Sequence, residues 1–138
     1  MATTPEGKVK DKAKKLYQKY RAKYDRAAQT GMGRNGRADD IVCRRPDGRF
    51  IGIEVKKLAV FDVTKLQQDW LVEVEDCGGC TMVLNMTTLP LLELVLSKQV
   101  LVHARFEKLN KGARCTGHVV TNMKTGEQVF MPAGGSDV

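Results

Sequence analysis

Hydrophobic and polar positions divide the first part of the chain into a helix followed by a loop. Hydrophobic residues recur at three- and four-residue intervals over residues 4–28, which predicts one amphipathic helix. The sequence Thr4-Pro5-Glu6 marks its start: a capping hydroxyl, a proline at the first helical position and an acid near the positive end of the helix dipole. The polar, glycine-rich residues 30–37 are predicted to form a loop.

A β-hairpin is predicted next. Two short apolar runs, residues 38–44 and 49–55, are separated by the sequence Arg-Pro-Asp-Gly, which is a strong turn signal between strands. In an antiparallel hairpin the start of the first strand lies beside the end of the second. We therefore expect Asp39 to lie next to Glu54.

The remaining pattern predicts a second helix and a β-rich C-terminal part. Thr64 caps a helix that presents Trp70 and Leu71 on one side and ends near the glycine pair at residues 78–79. The other predicted elements are a strand over residues 80–84, a helix over 89–96, a strand over 100–106 and a hairpin of strands over 117–121 and 128–131. This order, α-β-β-α-β-α, predicts an α/β domain over residues 1–98, with a C-terminal β extension over 99–138 packed on the same domain.

Charge and composition indicate the class of partner. The chain of 138 residues suits one domain, and Lys plus Arg outnumber Asp plus Glu by 23 to 16, giving a net charge of +7. Such a surplus favours polyanions, because each neutralised phosphate releases condensed counterions. The longest apolar stretch, residues 89–96, is too short to span a bilayer, and the N-terminus has no secretory signal. We expect a cytosolic protein with reduced thiols and no membrane partner.

Basic residues concentrate near the N-terminus, where nine of them accompany three acids over residues 1–26. One interpretation is an ordinary solvated helix face. The other is a surface that follows the DNA phosphates without reading sequence. The candidate DNA-binding residues are Lys8, Lys12, Lys15, Lys19, Arg34 and Arg37.

Three charged residues of the hairpin carry the candidate chemistry. Glu54 and Lys56 are two apart on a strand and point to the same face, beside Asp39. Two adjacent carboxylates are costly unless a cation lies between them, and such oxygen donors suit Mg²⁺ or Mn²⁺. A bound metal activates water for phosphodiester hydrolysis, which a lysine can assist. From the spacing alone, solvated charges on an edge hairpin are the favoured interpretation, and it is the surrounding sequence that favours a metal site.

That surrounding sequence resembles the VRR-NUC family of the PD-(D/E)xK nuclease superfamily over residues 4–85. The matching phrases are Thr4-Pro5-Glu6-Gly7-Lys8-Val9-Lys10, Asn35-Gly36-Arg37-Ala38-Asp39, Gly48-Arg49-Phe50-Ile51-Gly52-Ile53-Glu54-Val55-Lys56, Thr64-Lys65-Leu66-Gln67 and Gly78-Gly79. Each phrase is weak alone, but five in order are specific. The resemblance implies a restriction-endonuclease-like mixed β-sheet flanked by helices.

The resemblance also implies roles for individual residues. Asp39 and Glu54 would bind the metal together with the Val55 carbonyl, Lys56 would be the catalytic lysine, and Gln67 would touch the site. Glu6 would complete the metal shell, although alone it would pass for a helix-dipole acid.

The sequence departs from the family pattern just before the aspartate. Ala38 replaces the family's proline, and Asp40 offers a second acid. The spacing to Gly36 favours Asp39 as the ligand.

The function implied is Mg²⁺- or Mn²⁺-dependent cleavage of DNA. Small stand-alone members of the family resemble phage proteins and junction resolvases, often dimeric. They therefore point to a structure-selective endonuclease, a homodimer and a phage-encoded protein. One alternative is a non-catalytic nucleic-acid-binding or inhibitory module that keeps the fold. Another is an RNA-binding domain driven by charge alone.

The cysteines offer a separate metal hypothesis. Cys77, Cys80, Cys115 and His118 form a C-x2-C and C-x2-H set with the spacing of a structural Zn²⁺ site. The alternative is that Cys80 packs as a buried thiol at the start of an apolar strand, and this alternative is favoured.

Overall fold

The computed structural model describes residues 4–27 and 37–134, which form a mixed α/β arrangement of three helices and two β-sheets. In chain order the elements are α1 (Pro5–Lys19), β1 (Lys23–Arg26), β2 (Asp40–Cys43), β3 (Phe50–Val55), β4 (Asp62–Val63), α2 (Lys65–Asp76), β5 (Cys80–Leu84), α3 (Leu89–Leu96), β6 (Val100–Lys108), β7 (Ala113–Asn122) and β8 (Gln128–Pro132). No helix in these two ranges is long and apolar enough to cross a membrane.

The first sheet has the strand order β1-β2-β3-β5 and contains the predicted hairpin. Strands β2 and β3 pair antiparallel from Asp40 opposite Ile53 to Cys43 opposite Phe50, so the predicted hairpin is confirmed. Gly48 has a φ of 72°, which suits glycine at the turn between them. Strand β5 lies parallel to β3, and helix α2 is part of the connection between these two strands.

The second sheet has the order β4-β7-β6, with β8 pairing to β7. The predicted C-terminal hairpin is confirmed, and its strands are longer than predicted. The short strand β4 lies within the predicted connection between the first hairpin and α2, and it pairs with the start of β7. Because β4 immediately precedes α2, this pairing fixes the start of α2 against the C-terminal sheet.

The first helix is shorter than the sequence predicted. The prediction over residues 4–28 is wrong beyond Lys19, because the chain turns at Arg21, which has a φ of 57°, and continues as strand β1. Tyr24 therefore lies on a strand, yet its ring still packs on Tyr17 of α1 at a centroid distance of 4.6 Å. The hydrophobic spacing that predicted a longer helix therefore reflects the packing of residues such as Tyr17 and Tyr24 around one core, and not one continuous helix.

The main hydrophobic core lies between the first sheet and the helices α1 and α3. It comprises Val9, Ala13, Tyr17, Val42, Ile51, Ile53, Val55, Cys80, Met82, Leu84, Leu91, Leu92, Val95, Leu96, Val100 and Val102. The odd-numbered residues of β3 point into this core, so its even-numbered residues face the opposite side, toward α2. That opposite face carries Glu54.

Candidate active site

The hairpin places Asp39 beside the end of β3. Because Asp40 pairs with Ile53, the preceding residue Asp39 lies opposite Glu54. The backbone N–H of Val55 donates a hydrogen bond of 2.8 Å to Asp39 Oδ2. A strand residue directs its N–H and its C=O to the same side, so the Val55 carbonyl also faces Asp39. Asp39, Glu54 and the Val55 carbonyl therefore converge, as the sequence predicted.

Glu54 is a buried carboxyl group that uses only one of its oxygens. Its Oε2 accepts a 2.7 Å hydrogen bond from Gln67 Nε2 and lies 3.7 Å from Lys56 Nζ. Its Oε1 is buried and accepts no hydrogen bond from any described residue. Burial, and next the negative charge of Asp39, raise the pKa of Glu54 to about 9. Without a cation this group therefore keeps its proton at neutral pH.

Gln67 joins the site to the first turn of α2. Its side-chain Oε1 accepts from the backbone N–H of Thr64 at 2.9 Å, and the Thr64 hydroxyl accepts from the Gln67 N–H at 3.1 Å. These two bonds form a capping box. Lys56 Nζ lies 3.5 Å from the same Gln67 Oε1. One amide group thus caps the helix and contacts both Glu54 and Lys56.

Asp40, the alternative acid, is bound inside the protein. It is fully buried, and its carboxylate accepts hydrogen bonds from Tyr17 Oη at 2.7 Å and from Arg26 Nε at 2.9 Å. The hydrogen bond to Asp40 raises the pKa of Arg26, which keeps the ion pair charged. Asp40 is therefore part of a structural network that links α1, β1 and β2, and Asp39 is the acid that faces the site.

Glu6 lies at the margin of this arrangement. Its carboxylate forms an ion pair with Lys10 one turn along α1 at 3.2 Å, and its side chain is 43% exposed. Its negative charge adds the smallest of the contributions that raise the pKa of Glu54. Within residues 4–27 and 37–134, no three Asp, Glu, His or Cys side chains come close enough to share a metal ion. The role of Glu6 as a metal ligand stays a prediction.

The structure does not assemble the four candidate zinc ligands. His118 Nε2 lies 4.0 Å from Cys115 Sγ, but it already accepts a hydrogen bond from the Val83 N–H at 3.1 Å. Burial lowers the pKa of His118 to about 4 and raises that of Cys115 to about 11, so the pair is a neutral imidazole and a thiol. Cys77 is exposed and Cys80 is buried. These groups pack and form hydrogen bonds within the fold, although their spacing in the sequence suggested that they coordinate Zn²⁺.

The candidate DNA-binding residues differ in what they contact. Lys8, Lys12 and Lys15 are exposed on α1, the helix that begins beside Glu6. Lys19 contacts Glu93 of α3 at 2.7 Å, and Arg37 contacts Asp25 at 3.1 Å. Arg34 lies outside the described residues. The exposed basic row is therefore formed by the first three lysines.

Trp70 is a neighbour of the site that the sequence interpretation missed. It lies one helical turn after Gln67 on α2, and its ring covers Gly52 of β3. A Cβ atom at Gly52 would lie 2.8 Å from Trp70 Cζ3, so only glycine allows this approach. A glycine inside an apolar strand was the available signal, since such a glycine often marks a close approach by another group.

The comparisons with known proteins add no relative to this geometry. The chain matches no protein-family model, no curated protein and no solved structure. The resemblance to VRR-NUC nucleases stays a prediction that rests on the residues quoted above.

Proposed function

We propose that the chain is a Mg²⁺- or Mn²⁺-dependent nuclease with a restriction-endonuclease-like fold that hydrolyses phosphodiester bonds in DNA. One observation carries the proposal: the buried carboxyl group of Glu54 lies beside a second acid, Asp39, and its Oε1 accepts no hydrogen bond from the described residues. Its other oxygen, Oε2, lies 3.7 Å from Lys56 Nζ. Such a pair of acids is unfavourable alone and suits a divalent cation.

The residues present fit this metal by their chemistry. Asp39, Glu54 and the Val55 carbonyl supply the hard oxygen donors that Mg²⁺ and Mn²⁺ prefer. When bound, the metal supplies an activated water and neutralises charge on the phosphate. Because Glu54 Oε1 has no hydrogen-bond donor within the described ranges, a cation that displaces the carboxyl proton would satisfy it without displacing another donor.

The chain's own residues would position the reactants. Hydrolysis forms a bond between a water oxygen and phosphorus, breaks one phosphorus–oxygen ester bond and transfers a water proton to the departing oxygen. Lys56 carries a positive charge that stabilises the phosphate as negative charge builds on it. The amide group of Gln67 contacts both Lys56 and Glu54, so it fixes the position of these two side chains relative to each other. The exposed lysines of α1 then hold the DNA backbone.

A cleavage assay tests the proposal. Linear duplex, flap and four-way junction DNA are incubated with Mg²⁺ or Mn²⁺, with Lys56→Ala as the control variant. We expect wild type to cut at least one of the three and Lys56→Ala to be at least about 100-fold slower. Preference for the flap or the junction would support the structure-selective version. If Lys56→Ala cuts as fast as wild type, the mechanism is wrong.

Calorimetry separates the nuclease from a non-catalytic DNA-binding module. Titration with Mn²⁺ alone should give binding heat in wild type and none in Asp39→Ala. DNA binding without metal heat in either protein would favour the non-catalytic module. Binding that prefers RNA and ignores metal would favour the charge-driven RNA-binding domain.

A further inference from the structure

The sheet face that carries Glu54 continues past it as a partly apolar strip. Side chains alternate along β3, so Glu54, Gly52 and Phe50 share one face. Gly52 pairs with Ile41 and Phe50 pairs with Cys43, and residues directly opposite one another lie on the same face. Phe50 is 41% exposed. Gly52 itself is buried beneath α2, whereas Ile41 is half-buried and Cys43 is exposed. The accessible surface therefore leads from Asp39 along β2 to Phe50.

Trp70 forms the side wall of this strip and makes it a groove. The indole covers Gly52, and its centroid lies 6.3 Å from that of the Phe50 ring, with the two planes tilted by 42°. The groove has a volume of about 510 Å³. Its lining consists of Phe50, Trp70, Glu73, Val74, Cys77 and Gly79. Two partly exposed aromatic rings thus lie side by side, and one of them, Trp70, is one helical turn from Gln67 on α2.

We propose that this aromatic groove binds one unpaired nucleobase of the DNA strand whose phosphate lies at Glu54 and Lys56. The inference rests on the proposed function and deepens it, because it gives the substrate strand a path across the sheet. Stacking on aromatic side chains is the general way in which proteins hold unpaired bases, and every base has a suitable face. Paired bases are stacked inside a duplex and cannot enter such a groove.

The charges around the groove favour a base over a phosphate. Glu73 puts a carboxylate in the lining, which repels a phosphate but not a neutral base. Arg49 donates to the carbonyl of Gly78 at 3.1 Å and so places a cation beside the end of the groove, where the backbone of the same nucleotide can lie.

Trp70 is the only tryptophan in the chain, so its fluorescence reports directly on the groove. The protein is titrated in EDTA, where no metal-dependent cleavage occurs, with an oligomer of eight deoxythymidines and with a blunt hairpin duplex. We expect saturable quenching by the single strand and at least about tenfold weaker quenching by the duplex.

Variants of Phe50 test the stacking itself. Phe50→Leu keeps apolar volume but removes the aromatic face, and we expect it to weaken single-strand binding about tenfold, whereas Phe50→Tyr binds as wild type. Val72→Ala is the matched control, because Val72 is 44% exposed on α2 but does not line the groove. Unchanged thermal melting of Phe50→Leu shows that the variant is folded.

Three results would overturn the inference. The first is anisotropy showing that labelled single strand binds while Trp70 fluorescence stays constant. The second is wild-type affinity in Phe50→Leu. The third is a Trp70 fluorescence signal that changes with protein concentration in the absence of DNA, combined with a dimer seen by sedimentation. That result would assign the groove to a second copy of the chain. Quenching retained in a protein that never cleaves DNA would refute only the nuclease.

Discussion

Adjacent aspartates take different roles because their side chains point to opposite faces of β2. Asp40 enters the core, where Tyr17 and Arg26 satisfy it, and Asp39 faces the end of β3. A buried carboxylate that keeps its ion pair is structural, since removing either partner leaves an uncompensated charge. A carboxylate beside another acid suits a cation. Under the proposed function, the same residue type would serve stability at one position and chemistry at the next.

Asparagine substitutions should separate these two roles. Asp40→Asn leaves Arg26 without its partner charge, so we expect the free energy of unfolding to fall by about 3 kcal/mol. Asp39→Asn can still accept the Val55 hydrogen bond, so it should cost less than about 1 kcal/mol yet abolish Mn²⁺ binding heat. Urea unfolding and calorimetry on both variants check this. Loss of Mn²⁺ binding heat only in Asp40→Asn would contradict this assignment, because it would make Asp40 the metal ligand.

Glu54 should reduce the stability of the metal-free protein at neutral pH. Its folded pKa of about 9 exceeds its ordinary value of 4.5. The stability linked to its proton is therefore fully present below pH 4.5 and is lost as pH rises toward 9. We expect Glu54→Gln, which has no proton to lose, to raise the free energy of unfolding in EDTA at pH 7 by about 1 to 3 kcal/mol and to abolish cleavage.

Urea unfolding in EDTA at pH 5 and pH 8 checks the sign of this effect. The difference in stability between Glu54→Gln and wild type should grow as pH rises across this window. His118, with its pKa lowered to about 4, acts in the other direction, because protonation of the unfolded chain removes stability as pH falls through 6.5. Its contribution is common to both proteins and cancels in the difference. A difference that shrinks with rising pH would contradict the buried, protonated state of Glu54.

The juxtaposition of the candidate site residues could be predicted from sequence because their geometry is local. A turn of known chemistry and the two-residue alternation of strands suffice to bring Asp39, Glu54 and Lys56 to one place. The Asp40 network could not be predicted, because it depends on α1 and β1 meeting β2 in three dimensions. The position of Trp70 over Gly52 likewise depends on how α2 packs.

At the scale of elements, helix α2 is the part that connects stability to the site. Its capping box gives the first turn a fixed geometry, and the same glutamine side chain contacts Glu54. Gly112, in the connection between β6 and β7, packs against this start: a Cβ atom there would lie 2.5 Å from the Val63 carbonyl oxygen. The turn between β6 and β7 therefore supports the residues that precede α2.

Loss of the cap should reduce catalysis through Gln67. Thr64→Ala removes the hydroxyl that accepts the Gln67 N–H, and we expect about 1 kcal/mol less stability. Because Gln67 would then be held less firmly, kcat should fall about tenfold with KM nearly unchanged. Thr64→Ser keeps the hydroxyl and is the matched control. Equal loss of activity in Thr64→Ser and Thr64→Ala would show that the methyl group, and not the cap, matters.

The elements that were predicted well are marked by local sequence features, such as a cap, a turn or an apolar run. The elements that were missed have no such local feature. The Thr64 cap, the hairpin turn and the apolar run of β5 are local, and each was placed within one or two residues. The end of α1 has no glycine or proline, and the chain turns there through a left-handed Arg21. Strand β1 forms by pairing with the edge of β2, and the two-residue strand β4 forms by pairing with β7. Both depend on a partner that is distant in the sequence.

For the whole molecule, the distribution of charge decides how DNA would approach. The net charge of +7 is a property of the composition, but only exposed basic groups can meet a phosphate. Lys8, Lys12 and Lys15 form such a row on α1, while Lys19 and Arg37 contact acids of the protein itself. The row begins at the end of the helix nearest Glu6. Under the proposed function, DNA held along this row would run toward the acidic site.

Salt dependence measures this arrangement directly. Each phosphate contact contributes about 0.9 to the slope of log K against log salt concentration, so changing Lys8, Lys12 and Lys15 to Gln should reduce the slope by about three. The control changes Lys108, Lys111 and Lys124 to Gln, three exposed lysines of the C-terminal part, and lowers the net charge by the same amount. If charge acts only as a total, both triple variants lose the same slope. If α1 is the DNA-binding surface, the first variant loses about three and the second less than one, measured by anisotropy of labelled duplex in EDTA.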